Sequence, residues 1–161
     1  MQAQRTTTRE SPFAVASLST TAAETLLADL EDAFQRLFHG LRELEELLQG
    51  PEPQLVQLTI LRLKLSHLRL CRGSLVTAIR EFLDGKITDE ETIILDELKA
   101  AHQRLLQKAV THTTRWTLDA VQANWSEYRQ ATKVLAHQWL IKAREEQSLL
   151  LPLINKYAEP K

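Results

Sequence analysis

Two histidines and a cysteine are the side chains whose type and spacing best suit metal chemistry. His67 and Cys71 are four residues apart, so on a helix they share one face, where an imidazole and a thiolate can chelate a metal ion. Two ligands alone make a weak metal site, so the alternative interpretation is that both side chains pack against neighbours or are partly exposed. His102 falls within an apolar stripe, where it would be a ligand or a neutral, hydrogen-bonded imidazole. No flanking motif supports a Ser/His/Asp or Cys/His arrangement, so we predict that the protein is not an enzyme.

Composition narrows the classes of protein to which the chain can belong. Its 161 residues carry a formal charge of -1, one Cys and four Gly. A single Cys excludes an internal disulfide framework and a Cys-rich zinc module. The near-zero charge argues against a nucleic-acid binder, and so few glycines leave little for phosphate loops. No uncharged apolar run reaches the roughly 20 residues that span a bilayer, so we predict no membrane span and take a cytoplasmic location as the default.

Two segments follow from the distribution of apolar residues. Residues 1–20 are rich in Ser, Thr and Gln, and we expect a flexible, disordered N-terminal tail, although the same composition also suits a targeting segment. Residues 21–157 are expected to form one helical domain. The fold class predicted from the sequence is all-α, an up-down-up-down four-helix bundle without strand.

The ends of the four predicted helices are marked by capping residues and breakers. Capping boxes at Thr21–Glu24 and Thr88–Glu91 open the first and third helices. Gly50-Pro51 and Asp84-Gly85-Lys86 close the first and second. The predicted spans are 22–49, 53–84, 89 to a break within 112–118, and from there to a point near Pro152. The alternation Leu61–Leu65 also fits a strand, but the length of the surrounding segment favours a helix.

Charge and repetition both indicate how these helices are arranged. Residues 22–49 carry seven acids and two Arg, whereas residues 54–80 carry five Lys/Arg and no acid, which favours placing these two helices side by side. Residues 27–37 and 95–105 are identical at six of eleven positions. Because the first and third helices of an up-down bundle run parallel, this repeat is compatible with a two-fold pseudo-symmetric bundle.

Three short motifs resemble those of the hemerythrin-like, or HHE cation-binding, family. The segment from Ile141 to Pro152 is similar to that family's motif in its fourth helix, with Ile where the family has His. The segment 67–75 resembles the motif of the second helix, with Cys71 in place of Glu. His102 is similar to the ligand of the third helix, and its repeat mate is Phe34. The resemblance covers roughly residues 24–155 and implies a four-helix bundle with ligands that converge in its interior.

The resemblance implies a metal site of which only His67, His102 and Glu145 remain. Those three could hold one divalent ion, iron or another metal, if they converge inside the bundle. Phe34, Ile141 and Cys71 stand where the family has His, His and Glu, so we expect no di-iron centre and no resident cofactor.

Arg72 falls where the stripe of the second helix predicts an apolar residue. A buried Arg needs a carboxylate, and Glu145 or Glu146 is the expected partner, because Lys142 and Glu146 also fall on a core stripe. We expect His67, His102 and Glu145 to point inward, close to this pair. The sequence thereby predicts an ion-paired core where the resemblance implies metal.

Three functions remain compatible with the sequence. The first is a non-catalytic hemerythrin-like bundle that has lost its di-iron site and acts through protein contacts or self-assembly. The second is a metal-binding sensor or oxygen- or iron-related protein. The third is an unrelated helical adaptor. Apolar residues off the main stripe of the second helix, Ile60, Leu63 and Leu70, indicate a homo-oligomer or a protein partner.

Overall fold

The computed structural model describes the backbone of residues 12–158 and the side chains of residues 21–158. Five helices occupy this range, and no strand occurs within it, which confirms the all-α prediction. The helices are α1 (Pro12–Gln49), α2 (Leu55–Leu83), α3 (Asp89–Arg115), α4 (Leu118–Ala123) and α5 (Trp125–Ala158).

The structure corrects the predicted start of the first helix. α1 begins at Pro12, so Thr21 lies inside a helix and does not cap its start. The hydroxyl of Thr25 donates to the carbonyl oxygen of Thr21 at 3.0 Å, as a helix-interior Thr commonly does. Residues 12–20 were predicted to belong to the flexible tail; the rest of that segment, residues 1–11, lies outside the described residues.

The other predicted ends agree better with the structure. Thr88 caps α3 through a complete capping box with Glu91, and Gly85 takes a φ of 69° in the turn that ends α2. The break falls at Trp116-Thr117, inside the predicted window, but it is followed by the short α4. The prediction that the last helix ends near Pro152 is wrong: α5 includes Pro152 and runs to Ala158.

Apolar stripes hold the helices together. α1 packs along α2 and α5, α3 packs on α5, and α4 also contacts α5. The predicted pairing of acidic and basic helices is observed, with Lys64 Nζ 3.1 Å from Glu43. Buried side chains line one face of α1 and one face of α3, among them Leu37, Leu44, Leu95 and Leu98. The largest fully buried side chains include Leu30, Phe34, Leu58, Ile79, Tyr128 and Ile154.

Candidate functional site

A buried polar cluster lies where helices α2, α3 and α5 meet. Its members are charged or titratable side chains that fall on the apolar stripes of their helices. We call Arg72, His102, Lys142 and Glu146 the buried polar cluster. Helix periodicity turns these residues inward, because the stripe residues on either side of each are buried or half-buried.

One carboxylate serves two cations in this cluster. The side chains of Arg72 and Glu146 are 3% and 4% exposed, and Arg72 Nη2 pairs with Glu146 Oε2. Lys142 Nζ lies 3.3 Å from the other oxygen, Glu146 Oε1. The expectation of a buried pair between Arg72 and Glu145 or Glu146 is therefore confirmed for Glu146. Such a pair orders the core, because leaving any member alone strands a charge away from water.

Aromatic rings close the cluster on two sides. The guanidinium of Arg72 lies over the ring of Phe34, 5.2 Å from its centroid. The ring of His102 meets Trp139 edge to face, with centroids 5.6 Å apart. Phe34 thus brings a buried ring to the position where the resemblance implies an imidazole ligand. The side chain of Trp139 is itself buried.

Burial and neighbouring charges shift the pKa values of the titratable groups in the cluster. The pKa of His102 is lowered to about 4, mainly because burial removes the imidazole from water and secondly because Arg72, Lys142 and Arg69 are positively charged. Desolvation also lowers the pKa of Arg72, to about 10, so that its guanidinium stays charged at neutral pH. His102 is therefore a neutral imidazole in an electropositive setting, and neither of its ring nitrogens has a hydrogen-bond partner among the described residues.

The three candidate metal ligands do not converge. His102 is largely buried, but His67 and Glu145 are both exposed, so the expectation that all three point inward is wrong for these two. His67 Nε2 instead lies 3.4 Å from the exposed Cys71 Sγ on the outer surface of α2. Ile141, at the remaining ligand position, is 55% exposed. Within residues 21–158, no group of three or more His, Cys, Asp or Glu side chains is placed to hold a metal ion.

Two arginine contacts and a cavity near the buried polar cluster were not predicted from the sequence. Arg69 stacks over Trp139, with 5.6 Å from Cζ to the ring centroid, and Arg80 pairs with Asp96 at 2.5 Å. Between α2 and α3 is a cavity that contains Gly73 in its lining. A lone glycine in the middle of α2 was the only sequence signal for this opening.

Comparison of the chain with models of protein families, with curated proteins and with solved structures gives no match. None of the described helices has the length and apolar character that crossing a membrane requires.

Proposed function

We propose that this chain is a non-catalytic, hemerythrin-like helical protein that has lost its di-iron site and acts by self-assembly through the outer face of α2. In this proposal α1, α2, α3 and α5 form an up-down-up-down bundle. Two contacts support opposite directions for α2 and α3. Arg62 near the start of α2 donates to the carbonyl of Thr113 near the end of α3, and Arg80 near the end of α2 pairs with Asp96 near the start of α3.

The side chains inside the bundle support a function that does not depend on a bound metal ion. Phe34 and the pair of Arg72 with Glu146 occupy the region where the resemblance implies ligands, and the guanidinium supplies positive charge to the buried carboxylate. His67 and Glu145 are exposed, so neither can join His102 inside.

The observation that carries the proposal is a row of exposed apolar side chains along α2. We call Val56, Ile60, Leu63, His67 and Leu70 the α2 outer stripe. Its four apolar members are 62–75% exposed, although large aliphatic side chains gain about 1.5–3 kcal/mol each from burial. The spacing alternates four and three residues over about 21 Å of helix, which is the seam of a coiled coil.

Charge beside the stripe permits a second copy of this chain as the occupant. Residues 54–80 carry five Lys or Arg side chains and no acid, but three of the five pair with acids of neighbouring helices, Lys64 with Glu43 among them. Arg62 and Arg69 keep their positive charge, and repulsion between two identical faces is therefore weak, because salt screens exposed charges beyond about 10 Å. The exposed apolar row, repeated on an identical face, then provides the attraction.

The oligomeric state tests the proposal. We expect a dimer by light scattering and sedimentation of the full chain at about 50 µM. Leu63→Gln should weaken dimerisation at least tenfold, because it places an amide in the centre of the seam. Val110→Gln is the matched control: Val110 is 59% exposed on α3 and lies off the stripe.

Two outcomes would overturn the proposal. One is a wild-type monomer at this concentration, or a dimer that Leu63→Gln leaves intact. The other is stoichiometric iron with a charge-transfer band after expression in iron-rich medium, which would favour a metal-dependent sensor.

A further inference from the structure

A separate opening lies between α2 and α3, and its lining includes no residue of the α2 outer stripe. Its volume is about 230 Å³, and we call it the α2–α3 cleft. Apolar side chains from α2, α3 and α5 form most of its wall: Val76, Ile79, Leu95, Leu98, Leu106 and Leu150. This volume is below the roughly 300–1,000 Å³ typical of drug-sized sites, so the cleft suits a small molecule with an apolar body.

Gly73 leaves one end of the cleft open. No heavy atom lies within 4 Å of the place where a Cβ would stand on Gly73, so no neighbour requires a glycine there. A glycine inside a helix destabilises it relative to alanine. Gly40, in contrast, is closely packed, since its Cβ would come within 2.9 Å of a terminal methyl of Leu65, which would have to move. The space over Gly73 is therefore room that a ligand can use.

Cations at the other end give the cleft its charge preference. Arg80 and Lys99 both line it, and Glu146, the one acid among its lining residues, is already paired with Arg72 and Lys142. Arg80 uses Nη2 to bind Asp96, while its buried Nη1 has no hydrogen-bond partner among the described residues. A buried donor without a partner is unfavourable, and an anionic acceptor in the cleft would satisfy it.

We propose that the α2–α3 cleft binds a small amphiphilic carboxylate, with its carboxylate on Arg80 and Lys99 and its alkyl chain directed towards Gly73. Seven residues of helix separate Arg80 from Gly73, a distance of about 10 Å. A chain of about eight carbons suits this length and the apolar wall. The site is independent of the α2 outer stripe, so failure of either proposal leaves the other standing.

Three probes distinguish a carboxylate site from general apolar adsorption. The full chain is titrated with octanoate, octan-1-ol and acetate, with calorimetry and amide chemical shifts as readouts. We expect saturable 1:1 binding of octanoate, with shifts at Gly73, Arg80 and Lys99. Octan-1-ol should bind at least tenfold more weakly, and acetate should not saturate. Equal binding of octanoate and octan-1-ol, or no saturable octanoate binding, would overturn the proposal.

Two variants locate the ligand without unfolding the protein. Gly73→Leu fills the open end and adds helix propensity, so the melting temperature should hold or rise while octanoate binding falls at least tenfold. Ala28→Leu, an exposed helical site on α1 away from the cleft, is the control and should leave binding unchanged. Arg80→Gln should weaken octanoate but not octan-1-ol. Unchanged octanoate binding in Gly73→Leu or Arg80→Gln would refute the placement.

Discussion

Removing the single buried carboxylate of the polar cluster should destabilise the protein more than removing either cation's charge. Glu146→Met leaves Arg72 and Lys142 facing each other at 3% and 7% side-chain exposure without a buried counter-ion. Breaking a buried pair from one side costs about 3–5 kcal/mol, so we expect the free energy of unfolding to fall by about 4 kcal/mol.

Replacing Arg72 should cost less, and the cost should depend on volume. Arg72→Met leaves Glu146 with Lys142 at 3.3 Å, so no carboxylate is stranded, and about 2 kcal/mol should be lost. Arg72→Ala also empties the space against the ring of Phe34, which adds a further cost of about 2 kcal/mol. Methionine should therefore be tolerated better than alanine.

A double-mutant cycle measures the coupling between the two residues. Additive single costs would total about 6 kcal/mol, whereas Arg72→Met with Glu146→Met should cost only about 4 kcal/mol, because one stranded cation, Lys142, remains in place of two. Guanidinium unfolding followed by circular dichroism and tryptophan fluorescence supplies the free energies. Arg36→Met, which breaks an exposed pair with Asp32, is the control and should change stability by less than about 0.5 kcal/mol. Additive costs, or a milder effect of Glu146→Met than of Arg72→Met, would refute this reasoning.

Three further predictions concern caps, glycines and pH. Thr88→Ala should cost about 1 kcal/mol in chemical denaturation, because Thr88 Oγ1 accepts from the Glu91 amide; Thr88→Ser should retain most of that stability. Gly73→Ala should stabilise the chain by about 0.5–1 kcal/mol, whereas Gly40→Ala should stabilise it less, because a methyl of Leu65 must move; an equal gain at both sites would contradict the packing described. The folded-state pKa of His102, about 4, lies below the ordinary histidine value of 6.5, so the unfolded chain binds the proton first and stability is lost as pH falls from about 6.5 to 4. His102→Gln should flatten this part of the curve by about 3 kcal/mol, and an unchanged pH profile would show that His102 is solvated.

Local signals in the sequence were sufficient for most helix ends. Thr88 and Glu91 act within one turn, and Gly85 supplies a backbone angle that other residues avoid, so neither depends on distant contacts. The start of α1 was misplaced because Thr21 also fits a helix interior, where its carbonyl accepts from Thr25. Pro152 was taken as a stop, yet α5 continues through it to Ala158.

The sequence by itself determined that the chain is helical and that Arg72, Lys142 and Glu146 fall on core stripes, because periodicity fixes which residues of one helix share a face. The sequence also selected the buried face of α2, since Leu63 was placed off its main stripe and is exposed. Only the tertiary structure decided that His67 lies on the outer face beside Leu63. The pairing of Glu146 with Arg72 was also tertiary, because periodicity places each residue on a core stripe but only the packing of α2 on α5 brings the two side chains together.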